Sequence, residues 1–230
     1  MVPTTVLITG ANRGIGKGIL ELYALKPNHT ITAANRDPGH QTSQELLSLP
    51  KAEGTTITVV KVDATFPTDA AEAAETLLTQ GVDHIDILVL NAGIAFSWPK
   101  PEHVKIDDIR PHFETNVYGF IRAYQAFLPL LKASKDPKLV TMGSSAAFFT
   151  VSPPKHPSLL DQDTDSSSQR NRLPQRCTEL VNRGARTFAM DKAAITVEES
   201  VQGVVNVIDA STKETHGGKL WKWTGEEEPW

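Results

Sequence analysis

The stretch Thr9-Gly10-Ala11-Asn12-Arg13-Gly14-Ile15-Gly16 constrains this chain more than any other. Before it runs Thr4-Thr5-Val6-Leu7-Ile8, short, apolar and β-branched, the pattern of a buried strand. After it, Ile15, Ile19, Leu22 and Leu25 recur at helical spacing, so the glycines fall on a strand-to-helix turn. Gly10 suits a sharp turn, while Gly14 and Gly16 allow backbone to approach a ligand and the sheet. A helix that starts there aims unpaired N–H groups and a positive dipole end at whatever sits in the turn, which suits a pyrophosphate. The spacing is Gly-x-x-x-Gly-x-Gly, not the Gly-x-Gly-x-x-Gly of the common dinucleotide fingerprint. Glycines in a tight turn without a ligand are the bland reading; the flanking strand and helix favour nucleotide binding.

Three further segments follow in order: Asn91-Ala92-Gly93 after the apolar run Ile85–Leu90, Asn116 within Glu-Thr-Asn-Val-Tyr-Gly-Phe, and Leu139-Val140-Thr141-Met142-Gly143-Ser144-Ser145. Together with the glycine turn they resemble the short-chain dehydrogenases/reductases over residues 4 to about 149. The resemblance implies a single-domain Rossmann fold. It also implies a cofactor site formed by Gly10, Asn12, Arg13, Gly14, Ile15, Gly16, Asn91, Ala92 and Gly93. Asn116 then supports a water-linked proton relay, and Ser144, the better match of the serine pair, is the active-site serine.

The second strand, His29–Ala34, ends in Asn35-Arg36-Asp37-Pro38. In Rossmann units an acidic residue here binds the ribose 2′-hydroxyl, whereas an arginine accommodates a 2′-phosphate. Arg36 and Arg13 together favour NADP; Asp37 is the feature that points the other way, and a solvated loop charge is the bland reading of Arg36. The strand Thr55–Val62 leads to Asp63. It reads equally as a helix cap or, by the resemblance alone, as the adenine contact. Helices over Gln41–Leu49 and Ala70–Leu78 alternate with these strands, predicting an α/β fold with a doubly wound parallel sheet. Ile106–Leu131 is the longest periodic segment, with an apolar stripe of Phe113, Val117, Phe120, Ile121, Tyr124, Phe127, Leu128 and Leu131. Tyr118 and Arg122 on it mimic a Tyr-x-x-x-Lys pair but precede the serine strand, and read as packing and surface groups.

Beyond Ser144 the pattern breaks. The resemblance calls for a tyrosine followed four residues later by a lysine, roughly a dozen residues past the serine. The chain has 3 tyrosines, Tyr23, Tyr118 and Tyr124, all before it. Residues 150–177 carry Pro153, Pro154, Pro157, Pro174 and a Ser166-Ser167-Ser168 run, with no usable period, as an irregular segment does. From Thr178 the likeness returns. Val197–Ala210 reads as an amphipathic helix and Gly217–Trp223 as the last strand. This tail is most similar to the fungal norsolorinic-acid-ketoreductase-like branch, whose members reduce carbonyls in secondary metabolism. The expected organisation is a cofactor-binding core over 1–149, an irregular replacement over 150–177, and 178–230 completing the same domain. The sixth strand and its preceding helix are missing, so an ordered family-type homo-oligomer is not expected.

The 230 residues suffice for one domain, and a net charge of −4 leaves no footprint for nucleic acid or an anionic membrane. No apolar run approaches the ~20 residues of a membrane span. Met1-Val2-Pro3 lacks a secretory pattern, and one cysteine, Cys177, offers neither an internal disulfide nor a metal constellation. The expectation is a cytoplasmic protein with a small-molecule carbonyl substrate and no metal. Two function classes stand: an NADP-dependent ketoreductase, and a catalytically inactive NADP-binding relic or partner protein lacking the Tyr-Lys pair. A scaffold with no ligand is the weakest third.

Overall fold

In the computed structural model, residues 2–97, 99, 101–143 and 195–228 are described. Strand β1 (Thr4–Thr9) lies between β2 (His29–Asn35) and β4 (Ile87–Leu90) in a five-stranded sheet. Among the described residues the outermost strands are β3 (Thr56–Lys61), beside β2, and β5 (Lys138–Thr141), beside β4, giving the order β3-β2-β1-β4-β5. Every pairing is parallel, with Thr4 opposite His29 and Val6 opposite Ile87. Parallel strands need crossovers that cover both faces, and the strand residues sort accordingly. Val6 and Ile8 join Ile31 and Ala33 beneath helix α1 (Gly14–Ala24) and α6 (Val197–Ala210). Leu7, Val60, Leu88 and Leu90 face the other way, against α3 (Asp69–Thr79) and α5 (Phe120–Ala133). The architecture is therefore the doubly wound Rossmann arrangement expected from the alternation of elements.

Two expected helices differ in detail. The segment over Gln41–Leu49 forms one α-turn, α2 (Gln41–Gln44), and continues as a 3₁₀ turn over Glu45–Ser48. The long segment from Ile106 is broken: α4 (Ile106–Phe113) passes through a π-helical stretch, Glu114–Gly119, before α5 begins. The break has visible causes. Pro111 removes a helix donor, and Gly119 lies so close to Ala64 that a Cβ there would sit 2.5 Å from the alanine Cβ. The apolar stripe consequently divides. Phe127 and Leu131 are buried in the core, whereas Phe113, Val117 and Ile121 remain exposed.

The C-terminal piece is anchored on α1. Thr196 and Glu199 form a reciprocal capping box at the start of α6. Val201 packs over Gly18, where a Cβ would approach to 2.7 Å. Tyr23 donates to Asp209 Oδ1 at 3.2 Å, Lys26 pairs with the same carboxylate, and Lys138 caps the helix through Ile208 O at 2.9 Å. Leu220–Trp221, within the segment expected as the last strand, is β6; it pairs antiparallel with β7 (Glu227–Glu228) in a separate hairpin after the short helix α7 (Lys213–His216). The expected loss of the sixth strand concerns residues outside those described, as do the segments 150–177 and 178–194.

Candidate functional site

The carboxyl ends of β1, β2, β3 and β4 bring the expected cofactor residues to one edge of the sheet. Such an edge is where open α/β sheets bind ligands. β1 ends at Thr9, and Gly10 and Gly14 turn the chain with positive φ of 66° and 55°. Gly16 tolerates no side chain: a Cβ would lie 2.5 Å from both Gly10 O and Asn91 Nδ2. Helix α1 then starts with no capping side chain and no acidic residue in its first turn. Its first N–H groups thus keep their capacity for an outside acceptor, and the dipole end is not neutralised locally. The turn is shaped to receive an anion.

Thr9 and Asn91 lock β1 to β4 beneath the turn. The Thr9 hydroxyl accepts from Asn91 N and Ala92 N, each at 3.0 Å. The Asn91 amide donates back to Thr9 O at 3.0 Å and Gly10 O at 3.2 Å. Asn91 thereby acts first as a brace for the turn, and the exposed Ala92 and Gly93 lie beyond it. Asn116 is exposed rather than buried, and its amide is committed nevertheless: Oδ1 accepts from Ile94 N at 2.9 Å and Nδ2 donates to Ile94 O at 2.8 Å. It fastens the π-helical stretch to the strand-four loop, where a Cβ added at Gly93 would lie 3.4 Å from Asn116 Oδ1.

Asp63 is positioned by its neighbours. Its backbone N donates to the buried Asp69 carboxylate at 2.9 Å, and Lys61 supports the same carboxylate at 3.3 Å. One Asp63 oxygen accepts from Thr65 N and Thr65 Oγ1 at 2.9 and 2.8 Å. Asp63 therefore closes a local turn onto Thr65 and does not cap the following helix, whose N-cap is Thr68. Arg13 and Arg36 are both exposed, one in the turn and one after β2. Asp37, whose charge was the argument against a 2′-phosphate, accepts from Gly39 N at 2.9 Å through Oδ1. Ile15 belongs to the apolar packing of α1, and Asn12 donates to Thr42 Oγ1 at 2.8 Å. Ser144 lies outside the described residues; β5 carries the chain to Thr141.

Sequence reasoning passed over Asn35. It is 1% exposed, accepts from Ala11 N at 2.8 Å and donates to Ser43 Oγ at 3.2 Å. A polar residue directly after Ala33-Ala34, three positions before the loop proline Pro38, was the available signal. Among the described residues no group of three or more His, Cys, Asp or Glu is placed to hold a metal, and no helix is long and apolar enough to cross a membrane.

The short chain dehydrogenase family model matches residues 4–153. Among curated proteins, the short-chain dehydrogenase srdF of Neurospora crassa is 31% identical over 99% of this chain and 98% of its own length. Norsolorinic acid ketoreductase nor1 of Dothistroma septosporum is 31% identical over 99% of this chain and 92% of its own length. Among solved structures, NADPH-bound carbonyl reductase from chicken fatty liver matches with a TM-score of 0.73 at 24% identity, covering 100% of both chains. That likeness bears on the fold.

Proposed function

The chain belongs to the short-chain dehydrogenase family, and from that premise we propose an NADP-dependent oxidoreductase of ketoreductase type. Its substrate class is a small molecule carrying a carbonyl, of the secondary-metabolite or polyketide-like kind. Relatives named as norsolorinic acid ketoreductases motivate the substrate class. The observation that carries the cofactor reading is the uncapped start of α1 behind a turn with no room for a Cβ at Gly16. Gly10, Asn12, Gly14, Ile15 and Gly16 would hold the pyrophosphate, and Asp63 the adenine. Asn91, Ala92 and Gly93 would flank the nicotinamide half. Arg13 and Arg36 would take the 2′-phosphate, each charge-assisted contact contributing about 1.5–3 kcal/mol.

The nicotinamide, when bound, supplies the hydride. The chain's own task is to orient the carbonyl and to stabilise and protonate its oxygen as charge develops. Ser144 would donate a hydrogen bond to that oxygen. Asn116, tied through its amide to Ile94, would act from its helix as a support for the proton path. The core over 1–149 and the returning segment 178–230 would serve this site as one domain, with 150–177 between them.

One observation favours a second reading, a protein that binds NADP without turnover. No tyrosine follows Ser144, and Tyr23 spends its hydroxyl on Asp209. Calorimetric titration with NADPH and NADH tests the cofactor reading. NADPH is expected to bind at least about fivefold tighter, the worth of one hydrogen bond near 1 kcal/mol, with Arg36→Asp reversing the order. Equal affinities would remove the two-arginine assignment. NADPH consumption with a panel of aromatic ketones then separates the readings: turnover supports the ketoreductase, and tight NADPH binding with background turnover supports the second.

A further inference from the structure

We propose that Asn35 and Ser43 are positioning residues for cofactor choice, holding the Arg36–Asp37 segment in register with the glycine turn. The proposal rests on the NADP reading above and assigns its selectivity to two buried side chains that reach no ligand. The geometry is a continuous chain of three hydrogen bonds. Ala11 N, inside the turn, donates to Asn35 Oδ1 at 2.8 Å. Asn35 Nδ2 donates to Ser43 Oγ at 3.2 Å. Ser43 Oγ donates to Asp37 O at 2.8 Å. Asn35 is 1% exposed and Ser43 0%, so water does not substitute for either link.

The direction of the chain is fixed by proton count. An amide oxygen only accepts and an amide NH₂ only donates, so Asn35 has a single orientation between Ala11 N–H and Ser43. Ser43 owns one hydroxyl proton; having accepted from Asn35, it delivers that proton to the Asp37 carbonyl. The carbonyl so held follows Arg36 directly, and the same residue's carboxylate is turned onto Gly39 N at 2.9 Å. Fixing Asp37 therefore does two things. It sets where the Arg36 backbone points its side chain, and it keeps a negative charge engaged with its own loop. A second, more exposed string runs alongside: Asn12 Nδ2 to Thr42 Oγ1 at 2.8 Å, and Thr42 Oγ1 to His40 Nδ1 at 2.9 Å. Both strings tie residues 11–12 of the turn to residues 40–43. Gln44 adds a bond from the far side, to Pro38 O at 2.7 Å. The loop bearing Arg36 is thus hung from the turn bearing Arg13.

Ser43→Ala isolates the claim, because it cuts the link to Asp37 while leaving Asn35 Oδ1 on Ala11 N. In the full chain, calorimetric titration with adenosine 2′,5′-bisphosphate and with AMP reads the 2′-phosphate preference without depending on turnover. The expected result is a preference reduced about fivefold, corresponding to one hydrogen bond, with AMP affinity unchanged. Asn35→Leu, which also strips Ala11 N–H of its partner, is expected to weaken both ligands. If Ser43→Ala does not fold, Ser43→Cys fills nearly the same space with a poor donor and is expected to show the same reduced preference. Parallel weakening of both ligands in the serine variants, or a lowered melting temperature with an unchanged preference, overturns the proposal and leaves the NADP reading standing. A wild-type chain without preference for the 2′-phosphate overturns both.

Discussion

Gly16→Ala is the sharpest test of how the turn is built. In an ordinary helix the change stabilises by up to about 1 kcal/mol through helix propensity. Here the new Cβ would sit 2.5 Å from Gly10 O and 2.5 Å from Asn91 Nδ2. Neither neighbour retreats freely. Gly10 is backbone held by Ala34 O at 2.8 Å, and the Asn91 amide is bonded to Thr9 O at 3.0 Å and Gly10 O at 3.2 Å. Forcing extra volume into close packing costs about 1–3 kcal/mol. Losing one of the Asn91 bonds adds about 1 kcal/mol. Set against the helix gain, the net is a destabilisation of about 2 kcal/mol, or about 4–8 °C in melting temperature for a chain of this size. Because the displaced atoms belong to the turn, nucleotide affinity should fall about tenfold, the loss of one charge-assisted bond. Thermal unfolding and NADPH titration read the two effects. Gly143→Ala serves as the control, since among the described residues its Cβ would meet nothing within 4 Å. A Gly16→Ala protein that melts at or above wild type and keeps its affinity would show that β1, α1 and β4 do not converge as described.

Two further substitutions probe the braces around this edge. Asn116→Leu should leave Ile94 N–H and C=O to water, cost about 1 kcal/mol and speed hydrogen exchange at the Ile94 amide; unchanged exchange there would show that the amide clamp is not formed. Tyr23 is buried, and burial first, then the Asp209 carboxylate, pushes its phenol well above the usual range. The folded state therefore holds that proton more tightly than the unfolded chain, so its contribution is complete below the unfolded value of about 10 and declines as pH rises beyond it. Tyr23→Phe should lose about 1–2 kcal/mol at neutral pH and flatten the alkaline decline in urea unfolding; an unaltered slope between wild type and variant would refute the assignment.

Much of this was legible in the sequence because it is local. A glycine turn between an apolar strand and an amphipathic helix has few realisations, and Val6, Leu7 and Ile8 declare by their uninterrupted apolarity that both sheet faces are covered. What escaped was tertiary. Besides Pro111, the break at Glu114–Gly119 accompanies Gly119 meeting Ala64, a contact of chain segments far apart in sequence. The exposure of Asn116 depends on the loop it grips, not on its helical period. Asn35 reads in the sequence as the first residue after the second strand; only the closeness of Ala11 and Ser43 shows that it joins the glycine turn to α2. Gly217–Trp223 has the composition of a strand, and Leu220–Trp221 within it does form one, but composition says nothing of its partner, which is Glu227–Glu228.

The tyrosines bear most directly on turnover. A proton donor for a carbonyl must reach the reacting oxygen and be free to give up its proton. Tyr23 does neither, since its hydroxyl is buried under α6 and bonded to Asp209. Tyr124 packs against the core cluster on the α3 and α5 face. Tyr118 is 49% exposed, beside Phe113 and Arg110 on the α4 surface. Its spacing to Arg122 imitates a tyrosine–cation pair, but the guanidinium is engaged elsewhere: Nη1 donates to Ala64 O at 3.0 Å and pairs with Glu114. Arg122 therefore clamps the π-helical stretch to the loop after β3, and its guanidinium is committed there. Tyr118→Phe should leave both NADPH affinity and any ketone reduction within about twofold of wild type, as expected of a surface substitution within ±0.5 kcal/mol. Arg122→Met, by contrast, should lower the melting temperature by loosening Gly119 from Ala64. Measured reduction that disappears in Tyr118→Phe, with folding and NADPH binding intact, would make Tyr118 the proton donor and require the substrate to approach the α4 surface instead of the strand ends.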